Sequence, residues 1–266
     1  MISQLIQESK KIVIKIGSNT LSNDDGTINR EFLKKLTTQI YNLNSQGKQI
    51  VIVSSGATIA GVATIGKWAR KKDIHYKQAL CAIGQVELMD AYRKAFNEYN
   101  IHIGQILLTS EDFLDTNRTL NIRNTLFTLL DEGVIPIINE NDTVSVDEIK
   151  IGDNDTLAAL AANLWNADLL ILLSDIDGVF DKNPNEYKDA ILMDQVRDID
   201  ALLEKIEIGK ENDFGTGGIA TKIEAARKVN RYGIPMILTN GKKENILNKL
   251  LDGTEDATVF IPQIKA

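Results

Sequence analysis

Five short stretches of this 266-residue chain combine residue types that can hold or move an anionic group. Lys15 lies inside an aliphatic run and is followed at once by Gly17-Ser18-Asn19. A fixed cation beside backbone that an anion can approach closely makes a phosphate clamp, although the pattern also fits an edge lysine before an ordinary turn. Ser54-Ser55-Gly56-Ala57 opens the small-residue stretch TIAGVATIG. Hydroxyls and free N–H groups at a helix start can hold a carboxylate or phosphate, and the same tetrapeptide fits a plain N-cap serine. Asn139-Glu140-Asn141-Asp142 and Gly152-Asp153-Asn154-Asp155 follow each other closely. Carboxylates can bind the ammonium of an α-amino acid, while amides can take its carboxylate without adding like charge. A calcium loop would need more oxygen ligands at a different spacing, and a capped helix start is the structural alternative. Last comes Gly215-Thr216-Gly217-Gly218-Ile219-Ala220-Thr221-Lys222, which leads into the helical pattern IEAARKVNRYG. A lysine just inside a helix start opposes the helix dipole but is well placed for a phosphate on the glycine-rich turn. The order of residues is not that of a Walker loop.

Other features take simpler readings. Ser174-Asp175-Ile176-Asp177-Gly178-Val179-Phe180-Asp181 resembles the aspartate-nucleophile motif of haloacid dehalogenase-type phosphatases. That motif belongs on the first core strand, and here five strand candidates precede it, so a loop beside a nucleotide's base and ribose is the better fit. His75 and His102 have no partner pattern for a triad or a zinc site. Lys67, Arg70, Lys71 and Lys72 read as a solvated loop. Asn117, Asn141 and Asn154 begin N-x-T triplets, which mean nothing without a secretory signal.

The elements that must position these groups alternate. Aliphatic runs at 12–16, 50–54, 101–108, 134–139, 169–174 and 235–239 read as buried parallel strands. Helical spacing at 30–43, 75–96, 118–133 and 154–168 separates them. Gly47, Gly133 and Gly233 stand where helices should stop. The alternation predicts an α/β fold with an open sheet flanked by helices, and ligands collect at the carboxyl ends of such strands. Each polar, glycine-rich stretch follows a strand or opens a helix.

Composition bounds the function. Hydrophobic residues make up 43% of the chain, enough for a substantial core, and the net charge of −7 offers nothing to nucleic acid or to an anionic membrane. No apolar run approaches the length of a membrane span, the single cysteine cannot form an internal disulfide, and the N-terminus lacks a signal pattern, so a cytoplasmic protein is expected.

Taken in order, VIKIGSNTL, IVSSGA, INENDTVS, KIGDNDTLAALAA, LLSDIDGVFDKNP and GTGGIATK resemble the amino acid kinase family over about residues 10–262. The resemblance implies a three-layer α-β-α sandwich with a mainly parallel open sheet. It further implies a single domain over 1–266, with an acceptor side at about 1–165 and an ATP side at about 166–266. The activity implied is ATP-dependent phosphorylation of the glutamate side-chain carboxylate, at the first step of proline biosynthesis. Lys15 and Lys222 match the family's catalytic lysines and Asp155 the aspartate that organises them. Ser55, Asp142 and Asn154 would bind glutamate, helped by Gly56, Ala57, Asn139 and Asp153. Lys15, Gly17, Ser18, Ser174, Asp175 and the run Thr216, Gly217, Gly218, Ile219, Ala220, Thr221 and Lys222 would bind ATP, with Mg²⁺ carried by the nucleotide. Ser174 stands where many members have threonine. The resemblance also implies a homodimer or homotetramer, proline as a possible feedback inhibitor, and the form without a C-terminal PUA domain. Two alternatives remain: a family member with another acceptor (N-acetylglutamate, aspartate, carbamate or UMP), and a non-catalytic ligand sensor. Asp142 favours a free amino acid, because an ammonium needs an anionic partner and an acetylated nitrogen does not.

Overall fold

A run that is apolar at every position has no face to give to water, so it must be covered on both sides. The structure, a computed structural model, describes residues 1–67, 73–144, 154–184, 186–205 and 218–263. In chain order the elements are α1 (Ile2–Glu8), β1 (Lys11–Ile16), α2 (Ser18–Leu21), α3 (Arg30–Ser45), β2 (Gln49–Ser54), α4 (Ala57–Ile65), α5 (Ile74–Asn97) and β3 (Ile103–Leu108). A 3-10 turn (Ser110–Phe113), α6 (Thr116–Asp131), β4 (Ile135–Glu140), α7 (Asn154–Trp165), β5 (Leu169–Ser174), β6 (Gln195–Val196) and α8 (Ile199–Lys205) follow. The chain then forms α9 (Ile219–Asn230), β7 (Met236–Asn240), α10 (Ile246–Asp252) and β8 (Thr258–Phe260).

The strands form one sheet in the order β3-β4-β2-β1-β5-β7-β8-β6. All pairings from β3 to β7 are parallel. Strand β8 runs antiparallel to β7, and β6 pairs parallel to β8. Side chains alternate between the two faces, so strand parity sorts the core into two layers. Ile12, Ile14 and Ile16 of β1 join Leu36 and Ile40 of α3 and Tyr92 and Phe96 of α5. Val13 points the other way, into a cluster with Leu157 and Trp165 of α7 and Ile223 and Val229 of α9. The result is the three-layer sandwich expected from the sequence. Lys15 has the parity of Val13 and so belongs to the α7 and α9 side.

The six strand candidates are all present, with one correction. Strand β3, expected to be buried, is an edge strand with only Leu108 fully buried. Strands β6 and β8 were not legible because two or three residues carry no period. Gly47, Gly133 and Gly233 all take positive φ directly after helices, as stops should. Asn29, Asp73 and Asp115 cap α3, α5 and α6 by accepting from Phe32, Tyr76 and Arg118 backbone N–H groups. Lys48 is buried and donates to the Ile6, Gln7 and Ser9 carbonyls at 2.8, 2.9 and 2.8 Å, which ties the end of α1 to the sheet.

One helix contact matters for the site. Helices α4 and α5 touch backbone to backbone: a Cβ on Gly61 would collide with the Leu80 carbonyl, and one on Gly84 with the Ala57 carbonyl. These two glycines let the middle of α5 lie against the first turn of α4. Among the described residues, no helix is long and apolar enough to cross a membrane.

Candidate active site

Strands β4, β2, β1 and β5 are neighbours, and the polar stretches after them therefore lie side by side at one edge of the sheet. The centre is on β1. Lys15 pairs in register with Val53 on one side and Leu172 on the other. Its ammonium lies 2.6 Å from Asp155 Oδ1, in the first turn of α7. Lys222, in the first turn of α9, lies 3.2 Å from Asp155 Oδ2, and the Thr221 hydroxyl is 3.2 Å from that same oxygen. Lys15, Lys222 and Asp155 are 5%, 4% and 0% exposed. Charges leave water at a cost that only close pairing offsets, so this cluster is a tightly specified part of the fold. Buried alanines on both helices, Ala158, Ala159 and Ala162 on α7 with Ala225 and Ala226 on α9, let them approach closely enough to make it. Each ammonium has three donors and can hold Asp155 and a phosphoryl oxygen together.

On the β2 and β4 side lies a row of amides. Asn154 Nδ2 is 2.8 Å from the Ser54 carbonyl, 2.8 Å from Ser55 Oγ and 2.9 Å from Asn139 Oδ1. Asn139 Nδ2 in turn donates to Gln85 Oε1 at 2.8 Å. Gly56 takes φ +100 as the N-cap of α4, a conformation that favours glycine, and Ala57 begins the helix buried. A Cβ on Gly56 would lie 3.9 Å from the Ser18 Cα, so the turns after β1 and β2 adjoin. Asp142 faces Cys81 of α5, whose sulfur is 3.0 Å from the Thr58 hydroxyl. Burial, then the Glu140 charge, push the Asp142 carboxyl up to about 6, with the Cys81 thiol opposing. Burial and the charge of Asp142 push the Cys81 thiol up to about 12, so it is a neutral packing group rather than a nucleophile.

On the β5 side, Ser174 ends the strand buried, and its hydroxyl is 3.2 Å from Asp175 Oδ1. Asn19 donates to Asp175 Oδ2 at 2.9 Å, and Thr20 to the Ser174 carbonyl at 3.3 Å, which joins the turn after β1 to the turn after β5. Burial works against the Asp175 carboxylate, but Asn19, its own backbone N–H, Ser174 and the Lys222 charge outweigh it and keep its pKa below the usual value. The Gly17 N–H bonds the Leu173 carbonyl at 3.0 Å, so in the expected phosphate clamp that amide is already committed. Ser18 opens α2, and at the start of α9 Gly218 and Ala220 are exposed while Ile219 packs partly buried against the core. Asp153, Thr216 and Gly217 lie outside the described residues.

A model of the amino acid kinase family matches residues 10–240. The chain belongs to the amino acid kinase family. It is 74% identical over 260 residues to a protein of Alkaliphilus metalliredigens named glutamate 5-kinase, covering 98% of each chain. It is 66% identical to the glutamate 5-kinase of Alkaliphilus oremlandii over 98% of this chain and 99% of that one. A relative of the same name from Caldanaerobacter subterraneus is 49% identical over 252 residues, which are 95% of this chain and 68% of the relative. Two solved structures share the amino acid kinase fold at low identity. The UMP kinase of Ureaplasma parvum has a TM-score of 0.67 at 18% identity over 96% of this chain and 99% of that one. The carbamate kinase of Giardia lamblia bound to AMP-PNP has a TM-score of 0.66 at 16% identity, with the same coverages.

Sequence reasoning missed Gln85, Thr58 and Cys81, which sit in the α4–α5 contact and face the motifs found. The available signal was Gly84-Gln85 inside a helix, a residue without a side chain next to a long polar one. An open cavity of about 540 Å³ bordered by Thr20, Asn23 and Lys242 is not lined by Lys15, Asp155 or Lys222. Among the described residues, no three His, Cys, Asp or Glu side chains are grouped so as to hold a metal ion by themselves.

Proposed function

We propose that this chain transfers the γ-phosphoryl group of ATP to the side-chain carboxylate of L-glutamate, giving L-glutamyl 5-phosphate and ADP, the first step of proline biosynthesis. The observation that carries it is the 74% identity over 98% of both chains with a protein named glutamate 5-kinase. The convergence of Lys15 and Lys222 on Asp155 supports it chemically.

The acceptor carboxyl has a reference pKa of about 4.3 and is ionised at neutral pH. Its oxygen attacks the γ-phosphorus, the bond from phosphorus to the bridging oxygen breaks, and ADP leaves with that electron pair. No proton moves, so no general base is needed. The task of the protein is to bring two anions together. Lys15 and Lys222 carry the charge that opposes their repulsion and stabilises the transferring group, and Asp155 orients both. Asp142 binds the glutamate ammonium, with Ser55, Gly56, Ala57, Asn139, Asp153 and Asn154 forming the remainder of the acceptor pocket. Gly17, Ser18, Ser174, Asp175 and residues 216–222 hold the nucleotide. Mg²⁺ enters bound chiefly to the phosphates, where it neutralises part of their charge.

The row β4-β2 then serves the acceptor and the β5 and α9 side serves ATP, so the one domain over 1–266 divides functionally near residue 165. Exposed Val86, Leu114 and Leu120 favour association into a homodimer or homotetramer. Proline is the candidate feedback inhibitor, and the cytoplasm is the compartment in which ATP and glutamate meet the enzyme. The test is ADP release with Mg-ATP and a panel of glutamate, N-acetylglutamate, aspartate, carbamate and UMP, trapping acyl phosphate as hydroxamate. Glutamate-dependent ADP with a glutamyl hydroxamate is expected. Turnover only with another acceptor would overturn the substrate, and turnover with none would overturn the enzyme.

A further inference from the structure

The row of amides beside Ser55 ends on α5 at Gln85. The two ends of that side chain have opposite fates. Oε1 accepts from Asn139 Nδ2 at 2.8 Å, whereas Nε2 is buried and has no hydrogen-bond partner among the described residues.

This orientation is dictated by the backbone. The Glu140 N–H can only donate, and it donates to Asn139 Oδ1 at 2.9 Å. Asn154 Nδ2 reaches the same oxygen at 2.9 Å. The other end of Asn139 is therefore its NH₂ group, and it faces Gln85, which must meet it with oxygen. Reversing Gln85 would set two donor groups against each other. A buried donor without an acceptor is costly, and native proteins keep few of them, so a ligand is the expected source of that acceptor.

The neighbours say which ligand. Cys81 is one helical turn before Gln85 on the same face of α5, and Asp142 sits against Cys81. Gly84, beside Gln85, is the point where α5 meets the Ala57 carbonyl at the start of α4. The acceptor side thus holds, a turn apart along α5, an anion suited to an ammonium and a buried donor suited to a carboxylate. An α-amino acid carries that pair of groups on one carbon. We propose that Gln85 Nε2 donates to the α-carboxylate of the acceptor while Asp142 takes its ammonium, which makes Gln85 a specificity-determining contact for the amino-acid end of the substrate. This rests on the proposed glutamate phosphorylation.

Two substitutions separate contact from scaffolding. Q85E keeps an oxygen to accept from Asn139 and replaces only the donor, whereas Q85L removes both. Steady-state KM is measured for ATP, for glutamate and for glutamate α-amide, which keeps the side-chain carboxylate but has a neutral group in place of the α-carboxylate. Q85E is expected to raise KM for glutamate by about tenfold or more, because a carboxylate then faces a carboxylate, and to leave KM for ATP within twofold. Against the α-amide, whose NH₂ can donate to the new carboxylate, Q85E should lose little or improve. Q85L should weaken glutamate about tenfold and the α-amide less. A Q85E enzyme with near wild-type KM for glutamate would overturn the contact, since water would then be satisfying Nε2. Equal losses on both acceptors would also overturn it and leave Gln85 as a support for Asn139. The wild type measured in parallel separates the two levels: no glutamate-dependent ADP release overturns the function and the contact together.

Discussion

The Lys15 ammonium on the central strand and the Asp155 carboxylate on the first turn of α7 are 2.6 Å apart and almost wholly buried, and Lys222 reaches the other oxygen of that carboxylate at 3.2 Å. One anion thus holds two cations that come from separate elements. Removing the anion and removing one cation should have different consequences.

D155N leaves two buried ammonium groups facing each other across a neutral amide. Breaking a buried ion pair in this way costs about 3–5 kcal/mol, so the urea midpoint should fall substantially and turnover with it. K222A leaves Asp155 paired with Lys15, so the midpoint should move much less. Its kcat should nonetheless drop by roughly 10²–10³, the scale set by losing one preorganised electrostatic group. ADP release and denaturant unfolding on the same preparations check both, and a K222A enzyme with near-normal kcat would remove that lysine from the mechanism.

Asp142 supplies a pH signature. Burial raises its carboxyl to about 6, so in the free protein it takes up a proton as the pH falls through that value. A protonated Asp142 cannot attract an ammonium, and KM for glutamate should climb as pH drops from 7 to 5. The substrate's own side-chain carboxyl, near 4.3, stays largely ionised over most of that window and cannot cause the rise. D142N should show a high KM with little pH dependence. The linkage sign for stability is the reverse: a raised carboxyl pKa means the folded state holds its proton more tightly than the unfolded one. Stability is therefore lost between about pH 3.8 and 6 as the pH rises, and at pH 7 D142N should be the more stable protein by on the order of 3 kcal/mol. A thermal melt at pH 7 in which D142N is less stable than wild type would contradict this.

The α4–α5 contact makes a prediction about glycine. A Cβ at Gly84 would overlap the Ala57 carbonyl, which is backbone and cannot step aside, so G84A should cost about 3 kcal/mol or more and weaken glutamate binding by displacing the start of α4. Gly47 provides the control: it has φ +82 and open space around its Cβ position, so G47A should cost about 1 kcal/mol from backbone strain alone and leave KM unchanged. Urea titrations of the two variants distinguish lost space from lost backbone freedom.

What the sequence determined by itself was the architecture and the list of motifs. Continuous aliphatic runs such as 12–16 and 169–174 have to be covered on both faces, and that requirement alone predicts a parallel sheet between two helix layers. Glycines at 47, 133 and 233 marked helix ends because only a left-handed residue closes the last turn cheaply. Lys15 and Lys222 were visible as residues out of place in their surroundings, a cation within a strand and a cation at a helix start, whereas Asp155 suits a helix start and was marked as their partner by the family resemblance alone. Tertiary structure decided everything that depends on which strands are neighbours. The order β4-β2-β1-β5 is set by crossovers, not by local pattern, and it is what brings Asn139, Ser55, Lys15 and Ser174 to one edge. Cys81 looks within α5 like any small residue at helical spacing, and Gln85 is marked there only by the glycine beside it, a signal that does not say what the side chain faces. Their meaning comes from the facing strand ends and from two glycines that let backbones touch. Local periodicity specifies which face of an element is buried; it says nothing of what that face meets.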